Sequence, residues 1–155
     1  MMQSFFFDSS ALVKRYIPEQ STHWVRRVTR SYSRSEIVIS ELALVEMTSA
    51  VARRTREGFF STEVAAMIVR GIMSHASSRY YVFRVDAEVI AKAQSLCLQH
   101  PLRSLDAIQL ASAIIVNQGI ARGGLPPLTF VCADTRLLTV AAAEGMTPLD
   151  PNTMT

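Results

Sequence analysis

Residues 4–16, SFFFDSSALVKRY, decide how the rest of the chain is read. The short apolar run 5–7 stops at an acid, Asp8, and Ser9 and Ser10 then lead into a helical pattern that Pro18 ends. An apolar run bounded by polar residues and followed at once by a helix start predicts a buried strand. That strand delivers a carboxylate to the edge of a sheet, and Ser9 or Ser10 is placed to cap the helix.

The same unit repeats outward along the chain. Residues 37–39, 80–85 and 128–133 are β-branched or aromatic runs that predict further short strands, and 146–149 adds a short fifth. Helical spacing covers residues 19–34, 41–57, 61–74, 87–99, 105–117 and 135–144. Ser40, Asp86 and Ser104 stand at helix starts, and Gly58, Gly119 and Gly145 at helix stops. Residues 122–127, with two glycines and two prolines, read as a surface loop. Strands that alternate with helices over short connections predict an α/β fold, a mostly parallel sheet of four to five strands covered on both faces.

Composition bounds the classes. The 155 residues suit one domain, expected over 1–150 with a polar tail at 151–155. With 49% apolar and 19% charged residues, the chain is neither disordered nor fibrous. Charge interrupts every apolar stretch before membrane-spanning length, and the start lacks the basic and apolar regions of a leader, so a soluble, cytoplasmic protein is expected. Cys97 and Cys132 form no CxxC pair and read as small buried hydrophobes without a disulfide. His23, His75 and His100 lack zinc-ligand spacing. The net charge of +3 is almost all arginine, since Lys14 and Lys92 are the only lysines. Guanidinium forks suit phosphate, so a nucleic-acid partner is compatible with this balance. Arg26, Arg27 and Arg30 read either as a solvated helix face or as a phosphate track.

Four acids carry the functional reading. In an open parallel sheet the ligand crevice lies beyond the carboxyl ends of the strands. Asp8 and Asp134 each follow directly on a strand and belong at that edge, although either could simply cap the next helix. Glu46 rises from a small, apolar helix face formed by Leu42, Ala43, Ser49 and Ala50. There a carboxylate needs a cation, an arginine or a wet cleft. Asp106 lies in a first helical turn, where the helix dipole alone favours a negative charge. If the four converge, their repulsion calls for compensation, and hard divalent ions with oxygen ligands, Mg²⁺ or Mn²⁺, supply it.

The segments FFFDSSALVKRY, SELALVEMTSA, RSLDAIQLASA and VCADTRLLTVAAAEG, in that order, resemble the PIN-domain nucleases, and particularly the VapC-type toxins of toxin-antitoxin pairs. The resemblance spans nearly the whole chain and implies a three-layer α/β/α fold. It puts Asp8, Glu46, Asp106 and Asp134 on the family's acidic, metal-holding and catalytic positions, and Ser10 on its small hydroxyl position. It further implies Mg²⁺- or Mn²⁺-dependent hydrolysis of RNA, a homodimer and a cognate antitoxin. Asp8, Glu46 and Asp106 are the first candidates to touch the ion, Asp134 would do so directly or through water, and Ser10 would orient a ligand. Arg103 and Arg136, beside two of the acids, are candidate phosphate contacts, with a salt bridge or plain exposure as the alternative. A phosphatase with the first acid as nucleophile would want a second acid where Ser10 stands. A non-catalytic protein of the same fold, holding a metal or a partner's arginine, is the remaining alternative.

Overall fold

Phe5, Phe6 and Phe7 are almost completely buried, and their alternation sends them to opposite sides of the strand. Phe5 and Phe7 join one apolar cluster while Phe6 joins another, which makes β1 (Gln3–Phe7) the wall between two cores. The computed structural model describes residues 2–31 and 35–155.

Around β1 the chain lays down α1 (Ser9–Leu12), a 3₁₀ turn (Val13–Arg15), α2 (Thr22–Arg30), β2 (Ser35–Ser40), α3 (Glu41–Arg56) and α4 (Thr62–Ser78). It continues through β3 (Tyr80–Phe83), α5 (Ala87–Gln99), α6 (Ser104–Arg122), β4 (Thr129–Val131), α7 (Thr135–Ala143), β5 (Thr147–Leu149) and a closing 3₁₀ turn (Pro151–Thr153). The five strands form one sheet in the order β3-β2-β1-β4-β5, and all four pairings are parallel. Phe6 registers with Val38 on one side and Phe130 on the other. On one face Trp24, Met47, Val51 and Ile72 from α2, α3 and α4 cover the sheet. On the other, Val89, Leu96, Leu110, Leu137 and Val140 from α5, α6 and α7 do so. The architecture is the expected three-layer α/β/α.

The departures from the sequence reading are local. The first helix is capped by Asp8, whose side chain accepts from Ser10 N, and not by Ser9 or Ser10; it is one turn long before tightening to 3₁₀. α2 begins at Thr22, because Ser21 takes a left-handed φ of 67°, and it ends at Arg30, where Ser31 turns extended, short of the expected end at Arg34, a position outside the described residues. Gly119 does not stop α6. A Cβ there would meet nothing within 4 Å, and the helix runs on until Gly124 turns left-handed at φ +70°. α6 starts at Ser104 itself, with Arg103 in the cap position and no side-chain cap. α4 extends past Ser74 to Ser78. Cys97 is exposed, because it falls on the outer side of α5, whereas Cys132 is buried; both are free thiols. Residues 151–155 lie against α2, with Ser21 Oγ donating to Met154 O and Arg27 Nη2 to Thr155 O. Among the described residues no helix is long and apolar enough to cross a membrane.

Phe6 is fully buried and stacks on Phe130 with ring centroids 6.0 Å apart. Phe6→Ala is expected to cost about 3–5 kcal/mol. Urea unfolding of the variant, read as a lower midpoint at constant slope, checks this.

Candidate active site

From β1 the strand order steps outward through β2 to β3, whereas β4 and β5 lie on the opposite side, so the sheet reverses direction between β1 and β4. A crevice opens at the carboxyl end of such a switch point because the connections on either side lead to opposite faces. Asp8 follows β1 and Asp134 follows β4 by three residues, so both stand at this crevice. Each also caps a helix: Asp134 Oδ1 accepts from Arg136 N at 2.9 Å. Capping and site placement therefore coincide and do not compete.

Ser10 ties the two strand ends together. Its hydroxyl donates to Asp8 Oδ2 at 2.5 Å and accepts from Ala133 N at 3.0 Å. Cys132 lies beneath, with Sγ accepting from Asp134 N at 3.3 Å and 3.5 Å from Asp8 Oδ2. Glu46 enters from the second turn of α3, a helix started by the Ser40 cap on Leu42 N. Asp106 enters from the first turn of α6. All four acids and Ser10 line one cavity of about 620 Å³.

Asp8, Glu46 and Asp106 are like charges held wholly or partly out of water. Burial raises the Asp8 carboxyl above its ordinary range, against the hydrogen bonds from Ser10 and Cys132 that favour its charge. Glu46 is raised by burial and then by the charges of Asp8 and Asp106, with hydrogen bonds from Gln109 and Ser9 opposing the rise. Asp106 is raised by burial, Asp8 and Asp134, and Arg103 pulls it the other way. Burial also pushes the Cys132 thiol up, so it is not a thiolate at neutral pH.

This donor set, all carboxylate and hydroxyl oxygen under mutual repulsion, suits a hard divalent cation. Among the described residues no three His, Cys, Asp or Glu side chains are placed together closely enough to hold a metal ion as they stand. The acids surround a cavity, and the fit lies in their chemistry.

Arg103 is in the cavity wall, whereas Arg136 is exposed on α7 outside it. Two residues that the sequence reading left aside belong to this site. Arg53 also lines the cavity, seven residues beyond Glu46 and so on the same face of α3; that spacing was the available signal. Gln109 donates through Nε2 to Glu46 Oε2 at 2.6 Å, and its place three residues after Asp106 was the only hint. Neither Arg53 nor Arg103 forms an ion pair among the described residues. On α2, by contrast, Arg26 and Arg27 donate to the backbone carbonyls of Arg15 and Thr155. That face is occupied by the chain's own groups.

The PIN domain family model matches residues 5–141. The chain belongs to the PIN domain family. No curated protein sequence matches it significantly. Solved structures of this PIN fold include PAE2754 from Pyrobaculum aerophilum, 19% identical, with a TM-score of 0.62 over 99% of this chain and 92% of that one. VapBC2 from Rickettsia felis, bound to a DNA fragment from its promoter, is 12% identical with a TM-score of 0.62 over 96% and 98%. The sarcin-ricin loop cleaving toxin VapC20 from Mycobacterium tuberculosis is 17% identical with a TM-score of 0.61 over 92% and 96%.

Because Asp8, Glu46 and Asp106 titrate above their ordinary values of 3.8, 4.5 and 3.8, the folded chain binds more protons than the unfolded one just above that range. In chelator their contribution to stability is greatest below about pH 4 and is lost as pH rises through the folded values. Asp8→Asn removes the most buried of these charges. Its melting temperature in chelator at neutral pH is expected to exceed that of wild type by a few degrees, roughly 1 kcal/mol or more. Thermal melts from about pH 3.5 to 7.5 should show the difference closing on acidification.

Proposed function

We propose that this PIN-domain protein is a Mg²⁺- or Mn²⁺-dependent endoribonuclease and the toxin of a type II toxin-antitoxin pair. The observation that carries the reading is the convergence of Asp8, Glu46, Asp106 and Asp134 on one cavity at the sheet's switch point. The fold shared with VapC20, a toxin that cleaves the sarcin-ricin loop, supports RNA as substrate, and the shared fold of VapBC2 supports an antitoxin.

When bound, a divalent ion supplies Lewis-acid charge to the phosphoryl group and acidifies a water. Asp8, Glu46 and Asp106 would hold it, and Asp134, exposed at the rim, would complete the set directly or through water. Ser10, bonded to both Asp8 and the chain after β4, keeps the Asp8 oxygens in place while substrate enters. The carboxylates would repel RNA by themselves, so phosphates must be met by cations on the rim. Arg53 and Arg103, in the cavity wall and free of ion pairs among the described residues, fill that role. Arg136 would meet the RNA farther out. Val45, Phe59, Val64 and Met67, exposed on α3, α4 and the turn between them, offer an apolar landing place for the antitoxin beside the cavity. Exposed Ile90, Leu98 and Leu105 on α5 and α6 would be covered in a homodimer.

Purified protein freed of any partner is expected to cut labelled RNA with Mg²⁺ or Mn²⁺ and not with chelator, and Asp8→Asn to lose about 100-fold or more of the rate. Folded, ion-binding protein that cuts nothing across a broad RNA panel would favour the non-catalytic reading. Arg53→Ala and Arg103→Ala should each lower RNA affinity and reduce the slope of log affinity against log salt by about 0.7. Filter binding to Asp8→Asn protein, which does not consume the RNA, measures both.

A further inference from the structure

Gln109 sits among Leu110, Ala111, Ala113 and Ile114 on α6 and, like them, is buried. A primary amide is costly to bury without partners for its donors and its acceptor. Its Nε2 reaches across to α3 and donates to Glu46 Oε2 at 2.6 Å. An ionised carboxylate only accepts, so Glu46 dictates that the NH₂ end of the amide faces it. The other end has no partner: among the described residues Oε1 is a buried acceptor without a hydrogen bond. An orphan of this kind destabilises the fold, because the buried acceptor has given up its water and gained nothing in exchange. Leu or Met would fill the same space without that cost, so packing does not explain a glutamine here.

Glu46 does explain it. This side chain has three rotatable bonds, and its helix neighbours Leu42, Ser49 and Ala50 offer no charge to hold it. Asp8 and Asp106 repel it. Left to itself it would swing towards water. Ser9 lends it one hydrogen bond, and Gln109 supplies the stronger restraint from the same helix that carries Asp106, one turn away.

We propose that Gln109 is a positioning residue that fixes the rotamer of Glu46 beside Asp8 and Asp106 and thereby sets the affinity of the cavity for a divalent cation. The assignment rests on the reading of these acids as a cation site. It makes the spacing of α3 and α6 part of the site, because the hydrogen bond spans the gap between them.

The test is Mn²⁺ binding by calorimetry or electron paramagnetic resonance, without RNA, on wild type, Gln109→Met and Gln109→Asn. Met keeps the volume and removes both the donor and the orphan acceptor. Asn keeps the amide but is too short to span the gap. Gln109→Met is expected to melt at or above the wild-type temperature and to bind Mn²⁺ about 10–100-fold more weakly. Its kcat at fixed Mn²⁺ should fall while KM for RNA stays the same. Gln109→Asn should lose Mn²⁺ affinity in the same range, and its measurement decides the matter if the Met variant does not fold. Variants that bind Mn²⁺ within twofold of wild type, whatever their melting temperature, overturn the assignment while leaving the nuclease intact. A wild type that neither binds Mn²⁺ nor cuts RNA overturns the functional reading, and this assignment with it.

Discussion

A carboxylate at the end of a strand buried on both faces has few places to go. Phe5, Phe6 and Phe7 commit β1 to the centre of the sheet, and Asp8 follows where the strand leaves it, with only 4% of its surface exposed. Its charge is opposed by burial and stabilised by Ser10, and it stands close enough to Glu46 and Asp106 to raise both. The short contacts around it follow from that problem. Ser10 donates its hydroxyl hydrogen to Asp8 and accepts a hydrogen bond from Ala133 N, joining the end of β1 to the chain beyond β4 across the crevice.

The site is assembled from all three layers. Glu46 comes from α3, whose Ala43, Met47 and Val51 pack on one side of the sheet. Asp106 comes from α6, whose Ala107, Leu110 and Ala111 pack on the other. Side chains of the two helices meet at the cavity, where the Gln109–Glu46 hydrogen bond joins them. Loss of packing in either core would therefore move one acid relative to the others. This is how Phe6, buried in the core and not itself in the cavity lining, bears on the cavity.

The chain is basic overall, yet its cavity is acidic, and its arginines divide between two settings. Arg15 is buried and donates to Thr29 O and Tyr80 OH, while Arg26 donates to the carbonyl of Arg15. These guanidiniums satisfy backbone and hydroxyl acceptors within the α2 side of the fold. Arg53 and Arg103 are exposed at the cavity and meet no acid within ion-pair distance among the described residues.

Strand positions, the order of helices and the edge placement of Asp8 and Asp134 were legible in the sequence, because each depends on a few neighbouring residues: an apolar run, a cap, a turn. The helical face of Glu46 was legible for the same reason. Helix ends were read less well, as Gly119 shows, since a glycine with open space around it does not break a helix that packing holds on both sides. Which arginine lines the cavity was a tertiary decision: Arg53 does and Arg136 does not, although Arg136 is nearer in sequence to one of the four acids. The partner of Glu46 was another, for Gln109 lies sixty-three residues away and meets it only because two cores of fitting thickness bring α3 and α6 together. Local residue spacing fixes the direction in which a side chain leaves its helix, whereas the distance between helices is set by the side chains packed beneath them.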